Sequence, residues 1–241
     1  MGKWKKWLSA GLYTAMLGTA IIAGPTADVS ANAGNKPYNI ENVSPDAHLA
    51  PSVGDSSSKT SSKAWHKIDG VCYNGSGKKV EGAITRGMDI SEWQGKINWK
   101  EAKKDLDFAF VRISYGTRHL DDYYDYNMTE AEAADVPVGT YVYSLAKTNK
   151  EALAEAQLAI RQMQGHKVSY PVAFDLEDEA TLGTLTRKEI SQIALTFCDE
   201  IRKAGYTPIL YMNLNWYNNF VDWNVLEGSG LDVWIASYGD T

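Results

Sequence analysis

Four acids fall within five residues at the end of Tyr170-Pro-Val-Ala-Phe-Asp-Leu-Glu-Asp-Glu179: Asp175, Glu177, Asp178 and Glu179. The apolar run before them, Val172-Ala173-Phe174, is short and bounded by a proline and a polar break, so it reads as a buried strand. Alternate side chains of a strand share a face, which puts Ala173, Asp175 and Glu177 on one side and Phe174 and Leu176 on the other. Carboxylates two residues apart on a strand face lie roughly 6–7 Å from one another and repel. A fold tolerates such a pair where the charges are used. A strand running out into a solvated acidic loop would be written in the same letters, so the rest of the chain has to decide.

The elements around this stretch alternate regularly. The pattern predicts strands over 87–90, 108–114, 138–145, 170–177, 207–213 and 231–237. Between them it predicts helices over 97–106, 124–134, 150–164, 187–204 and, more weakly, 216–226. Strand–helix alternation with short connections implies a parallel sheet in an α/β fold. Polar residues sit at the carboxyl ends of several different strands: Asp89, Arg112 and Ser114, Asp175 and Glu177, and Asn213. A (β/α) barrel brings those ends to one mouth, so a TIM-like barrel is preferred over an open sheet.

Other chemistries lack their residues. No GxGxxG or GxxxxGK[ST] follows a strand, which removes the usual nucleotide readings. The four histidines (His48, His66, His119, His166) have no HxxxH or HExxH spacing, so no metal or other cofactor is expected, and a metal-dependent polysaccharide deacetylase is disfavoured. Cys198 lies in an apolar helical stripe and reads as a core residue, and nothing in the spacing pairs it with Cys72.

The chain has 241 residues and a formal net charge of −6. Residues 1–33 read as a secretory signal peptide: Lys3, Lys5 and Lys6, an apolar stretch Leu8–Ala23, and a small-x-small site at Ala31-Asn32-Ala33. That segment carries three Lys and one Asp, so its removal leaves a chain more acidic by two charges. Such a protein has no long-range attraction for nucleic acid and keeps no stable membrane anchor after cleavage. Residues 34–63 are a polar linker rich in Ser, Pro, Asn and Lys. Residues 64–83 form a small module, with two short strands and glycine turns expected around Trp65, Gly70, Tyr73 and Gly77. Its Trp…Gly…Tyr…Gly order resembles one unit of choline-binding wall repeats, but a lone unit cannot bury a solenoid core, so a hairpin packed beside the main domain is expected.

Four segments carry a family resemblance: Gly87-Met-Asp89-Ile-Ser91-x-Trp93-Gln94-Gly95, Pro171-Val-Ala-Phe-Asp175-Leu-Glu177, Tyr211-Met-Asn213 and Trp234-Ile-Ala236-Ser-Tyr238. In this order and spacing they resemble family 25 of the glycoside hydrolases, the Ch-type lysozymes, over residues 84–241. The resemblance implies a modified β/α barrel and an N-acetylmuramidase that cleaves the β-1,4 bond between N-acetylmuramic acid and N-acetylglucosamine in peptidoglycan. It implies Glu177 as the acid, Asp175 as the group that stabilises positive charge at the reacting sugar or orients its acetamido group, and Asp89 as the group that tunes or positions the other two. Tyr143, Tyr211 and Trp234 are candidates for stacking on sugars or for filling the barrel. Asn213 belongs to the same mouth, and Arg112 needs a carboxylate partner, either an active-site acid or an acidic substrate group. The partner expected is the glycan strand of the bacterial wall, met outside the cell by a monomer.

The family pattern continues beyond the sixth strand into staves that do not follow Thr241. The catalytic domain is therefore expected to lack its last strands, with 231–237 an unclosed edge and a gap opening beside Asp89. The alternative function is a catalytically impaired wall-binding module that holds glycan without cutting it.

Overall fold

The computed structural model describes residues 6–10, 18–23, 66–74 and 77–237. Two strands come from the N-terminal segment, β1 (Lys6–Ala10) and β2 (Gly18–Ala23). The short hairpin β3 (His66–Ile68) and β4 (Val71–Tyr73) follows. Its turn places Asp69 and Gly70 at positive φ (49° and 79°), the backbone of a two-residue hairpin whose twist matches its strands. The hairpin does pack on the main domain. Lys67 Nζ bonds both carboxylate oxygens of Asp107 at 2.8 and 3.0 Å, and Asp107 also accepts from the backbone N–H of Arg86 at 2.7 Å.

The main domain then runs β5 (Ala83–Ile90), α1 (Trp99–Ala102), β6 (Phe108–Tyr115), β7 (His119–Leu120), α2 (Tyr124–Ala133), β8 (Val138–Tyr143), α3 (Asn149–Met163), β9 (Val172–Asp175), α4 (Glu179–Leu182), α5 (Arg187–Lys203), β10 (Pro208–Asn213), α6 (Leu214–Asn219), α7 (Trp223–Leu226) and β11 (Asp232–Ser237). Strands β5, β6, β8, β9, β10 and β11 lie side by side in that order, all parallel, as one curled sheet. This is the α/β half-barrel that the alternation predicted, with β7 folding back antiparallel on β6.

Two apolar layers hold it. The outer layer lies between sheet and helices and includes Phe174, Leu176 and the stripe Ile190, Ile193, Ala194, Phe197, Cys198 and Ile201 of α5. Phe174 stacks on Phe197 with ring centroids 4.0 Å apart. A capping box starts α5, with Thr186 accepting from the N–H of Glu189 and Glu189 accepting from the N–H of Thr186. The inner layer fills the concave side with Phe108, Phe110, Ala173, Ile209 and Trp234. Glycines make room for its rings: a Cβ on Gly87 would lie 2.1 Å from the Phe108 ring, and one on Gly139 2.6 Å from Phe110. Cys72 and Cys198 are both buried and free.

Three expectations are corrected. The helix predicted over 97–106 is only the turn Trp99–Ala102, because Asn98 caps it at one end and Asp107 is drawn away to Lys67 and Arg86 at the other. The helix predicted over 216–226 is broken into α6 and α7. Asp222 caps a new start, while the carbonyl of Val221 accepts from Nε and Nη2 of Arg187 at 3.0 and 2.6 Å. With residues 1–33 attached, the strand at 231–237 is not an unclosed edge: β1 pairs parallel with β11, and β2 pairs antiparallel with β5. A sheet edge offers unpaired N–H and C=O groups that any extended apolar segment within reach can satisfy, and the stretch read as a leader is such a segment. The sequence-predicted linker at 34–63 lies outside the described residues. Among the described residues no helix is long and apolar enough to cross a membrane.

Candidate active site

Strand β9 ends at Asp175, and the backbone N–H of Leu176 still bonds the carbonyl of Tyr211 at 2.9 Å, so Glu177 is the first acid free of the ladder. The alternation survives this exit. Ala173 belongs to the inner layer, Phe174 and Leu176 to the outer, and Asp175 follows Ala173 towards the concave side. Register then carries Asp175 into a lateral row, with Tyr143 of β8 opposite on one side, Tyr211 of β10 on the other, and Trp234 of β11 next to Tyr211. Asp89, one residue from the end of β5, faces the same mouth. Its charge raises the proton affinity of both Asp175 and Glu177.

The electrostatics follow from this crowding. Asp175 is 4% exposed, and one of its oxygens is buried without a hydrogen-bond partner among the described residues. Burial, then the charges of Glu177 and Asp89, push its pKa well up. Glu177 is half-buried and is raised to about 7, chiefly by desolvation. The Nδ2 of Asn213 donates to its Oε2 at 3.4 Å and partly offsets that rise by favouring the ionised form. Desolvation also raises Asp89 to about 6. The mouth therefore keeps a proton among its carboxyls at neutral pH, on groups close enough to sense one another.

Of the residues singled out in the sequence, Asp89, Asp175, Glu177, Asn213, Tyr143 and Tyr211 come together here. Two behave differently. Trp234 is 4% exposed and packs between Phe110 (centroids 4.7 Å) and Tyr211 (4.7 Å), so it fills the barrel rather than offering a face to a ligand. Arg112 is buried and bonds neither a candidate catalytic acid nor open solvent. Its Nε donates to Asp121 at 2.9 Å and its Nη2 lies 2.8 Å from Glu92. The β6–β7 hairpin turns back and delivers Asp121 to it, a partner that strand-by-strand reading could not place.

His119 extends this network, with Nε2 2.6 Å from Glu92. Glu92, His119 and Asp122 bring potential metal-ligand atoms within 4.8 Å of one another. The Arg112 guanidinium already neutralises Glu92, so the group reads as an ion-pair network bracing the rim. Sequence reasoning also passed over Asp178, which accepts from the hydroxyls of Tyr115 and Tyr143 at 3.2 and 3.3 Å. Its signal was the third acid of the opening run, standing where an N-cap for α4 is needed.

Two or more carboxyls of raised proton affinity, set at the carboxyl ends of a curled parallel sheet, are the equipment of a glycoside hydrolase. The comparisons agree on the lineage. The model of glycosyl hydrolases family 25 matches residues 88–241, and the chain belongs to that family. It is 25% identical over 164 residues to lysozyme M1 of Streptomyces globisporus, a match covering 64% of this chain and 55% of that one. It is also 25% identical over 166 residues to the uncharacterized protein YegX of Escherichia coli K12, covering 63% and 56%. The chain thus spans about half the length of the curated relatives it matches.

Among solved structures, the fold is similar to a family 25 glycosyl hydrolase from Bacillus anthracis. The TM-score is 0.54 at 23% identity, over 63% of this chain and 69% of that one. It is also similar to the modular autolysin LytC of Streptococcus pneumoniae, solved in complex with a synthetic peptidoglycan ligand. There the TM-score is 0.60 at 22% identity, over 73% of this chain and 44% of that one.

Proposed function

We propose that this protein is a secreted peptidoglycan hydrolase that cleaves the β-1,4 bond between N-acetylmuramic acid and N-acetylglucosamine. The observation that carries the reading is the convergence of Asp89, Asp175 and Glu177 on one mouth, with at least one carboxyl protonated at neutral pH. Glu177 is the acid: it stands beyond the end of β9, is the more exposed of the β9 pair, and has a pKa near the working range. Its proton passes to the glycosidic oxygen as the C1–O bond breaks, and a water later supplies the hydroxyl at C1 while returning a proton to the carboxylate. Asp175, buried beside it, answers the positive charge that grows on the reacting sugar or orients its acetamido group. Asp89 sets the charge balance between them.

Family membership, the wall-lytic names of its relatives and the basic-apolar leader at 1–33 support action on bacterial wall outside the cell. The test is digestion of purified peptidoglycan followed by borohydride reduction. The reading expects muramic acid, and not glucosamine, at the new reducing ends. New ends on glucosamine would make it a different glycosidase. Retention on the wall with no new ends would leave only a binding module.

A further inference from the structure

Five large hydrophobic side chains are exposed among the described residues, and four of them rim the mouth: Trp93 after β5, Tyr115 at the end of β6, Leu120 on β7, and Leu214 after β10. An apolar rim around charged groups marks a surface built to be covered. Tyr115 is the best organised of the four. The register of β6 on β8 slips between Arg112 and Ser114, a bulge that leaves Ile113 without an opposite residue. Arg112 faces Tyr141, so an unbroken ladder would set Ser114 beside Tyr143. The bulge sets Tyr115 there instead. Tyr115 thereby joins the lateral row that contains Tyr143 and Asp175, two strand spacings from Asp175, or roughly 10 Å. One face of its ring stacks on Tyr143, with centroids 4.8 Å apart and planes 20° apart. Its hydroxyl donates to Asp178 Oδ2 at 3.2 Å, the same oxygen that takes the Tyr143 hydroxyl at 3.3 Å. The other oxygen of Asp178 caps α4 by accepting from the N–H of Thr181 at 2.8 Å. A ring fixed on one face and at its hydroxyl, yet 37% exposed, presents its remaining face to the mouth.

Resting on the function proposed above, we infer that Tyr115 is a sugar-stacking residue for a pyranose ring adjoining the one cleaved. Asp178 is the positioning residue that holds Tyr115 and Tyr143 in place. The apolar face of an N-acetylated hexosamine suits the flat ring, as do aromatic partners generally, and the distance from Asp175 suits a neighbouring sugar rather than the reacting one. A rigid aromatic gives up little side-chain entropy on binding, which is what the shared carboxylate secures in advance.

The test uses the full-length protein carrying Glu177→Gln, so that ligand survives, and a soluble tetrasaccharide from digested peptidoglycan as the probe, with affinity read by calorimetry. Tyr115→Ala should weaken binding by about three- to tenfold. Tyr115→Phe, which keeps the ring and loses its anchor, should weaken it less. Asp178→Asn, which takes the carboxylate from both tyrosine hydroxyls, should weaken binding at least as much as Tyr115→Phe, and adding Tyr115→Phe to it should cost nothing further, since that bond is already gone. In the active background Asp178→Asn should raise KM more than it lowers kcat, which a loss of general stability would not do. Unchanged affinity in Tyr115→Ala, with the parent binding and wild type cleaving, overturns this inference alone. A parent that binds nothing, together with a wild type that releases no reducing ends, overturns the function and this inference with it.

Discussion

Glu177 keeps its proton because its surroundings cannot solvate the charge, and loses some of that advantage to the amide of Asn213. The sign of the pH dependence follows. A folded-state pKa of about 7, above the usual carboxylate value, means the acid is protonated below that pH and is lost as pH rises through it. Activity should therefore fall on the alkaline side near pH 7. Asn213→Ser removes the donor to Glu177 but leaves an oxygen able to cap α6, where Asn213 Oδ1 now accepts from Trp216 N at 3.0 Å. The alkaline limb of the kcat/KM profile should move to higher pH, with a stability cost well under about 1 kcal/mol. A limb that stays in place would show that another group gives up the proton. At this scale the sequence was legible for the acids, because Asp-x-Glu at a strand end is a local pattern. It was silent on the tyrosines that Asp178 holds and on the partner of Arg112, which depend on a bulge and a returning hairpin.

Elements were legible wherever their periodicity was long. Helices α3 and α5 and the strands β6, β8 and β10 lie where the apolar pattern puts them. The misses, at 97–106 and 216–226, are short segments whose ends are set by tertiary bonds from Asp107 and Arg187. The inner layer depends on an element-level match that composition does not advertise: Phe108 lies opposite Gly87, and Phe110 opposite Gly139, across adjacent parallel strands. The ring of each phenylalanine occupies the space a Cβ would need. Gly87→Ala should cost about 1–3 kcal/mol by overpacking, read from urea unfolding, even though its backbone lies in an ordinary strand. A change under about 0.5 kcal/mol would mean that Phe108 can move aside and that the inner layer is loosely packed.

Across the whole molecule, six parallel strands provide the mouth, and the proposed catalytic groups come from both sides of it: Asp89 from β5, and Asp175 and Glu177 from β9 and its exit. The order of strands was readable from alternation, because right-handed crossovers leave little choice. What lay beside the outer strands was not readable, since pairing at an edge is decided by whichever extended segment reaches it. Here β1 and β2 do so. At the mouth that these strands frame, the proposed chemistry is the breaking of the glycan by a proton held on Glu177. The most direct measurement is the release of muramic-acid reducing ends from purified peptidoglycan by wild type and by Glu177→Gln, at equal concentration and with matching melting curves. Wild type should release them, and the variant should lose at least about a hundredfold, the scale of positioned proton transfer. Release by Glu177→Gln at a rate near that of wild type would contradict it.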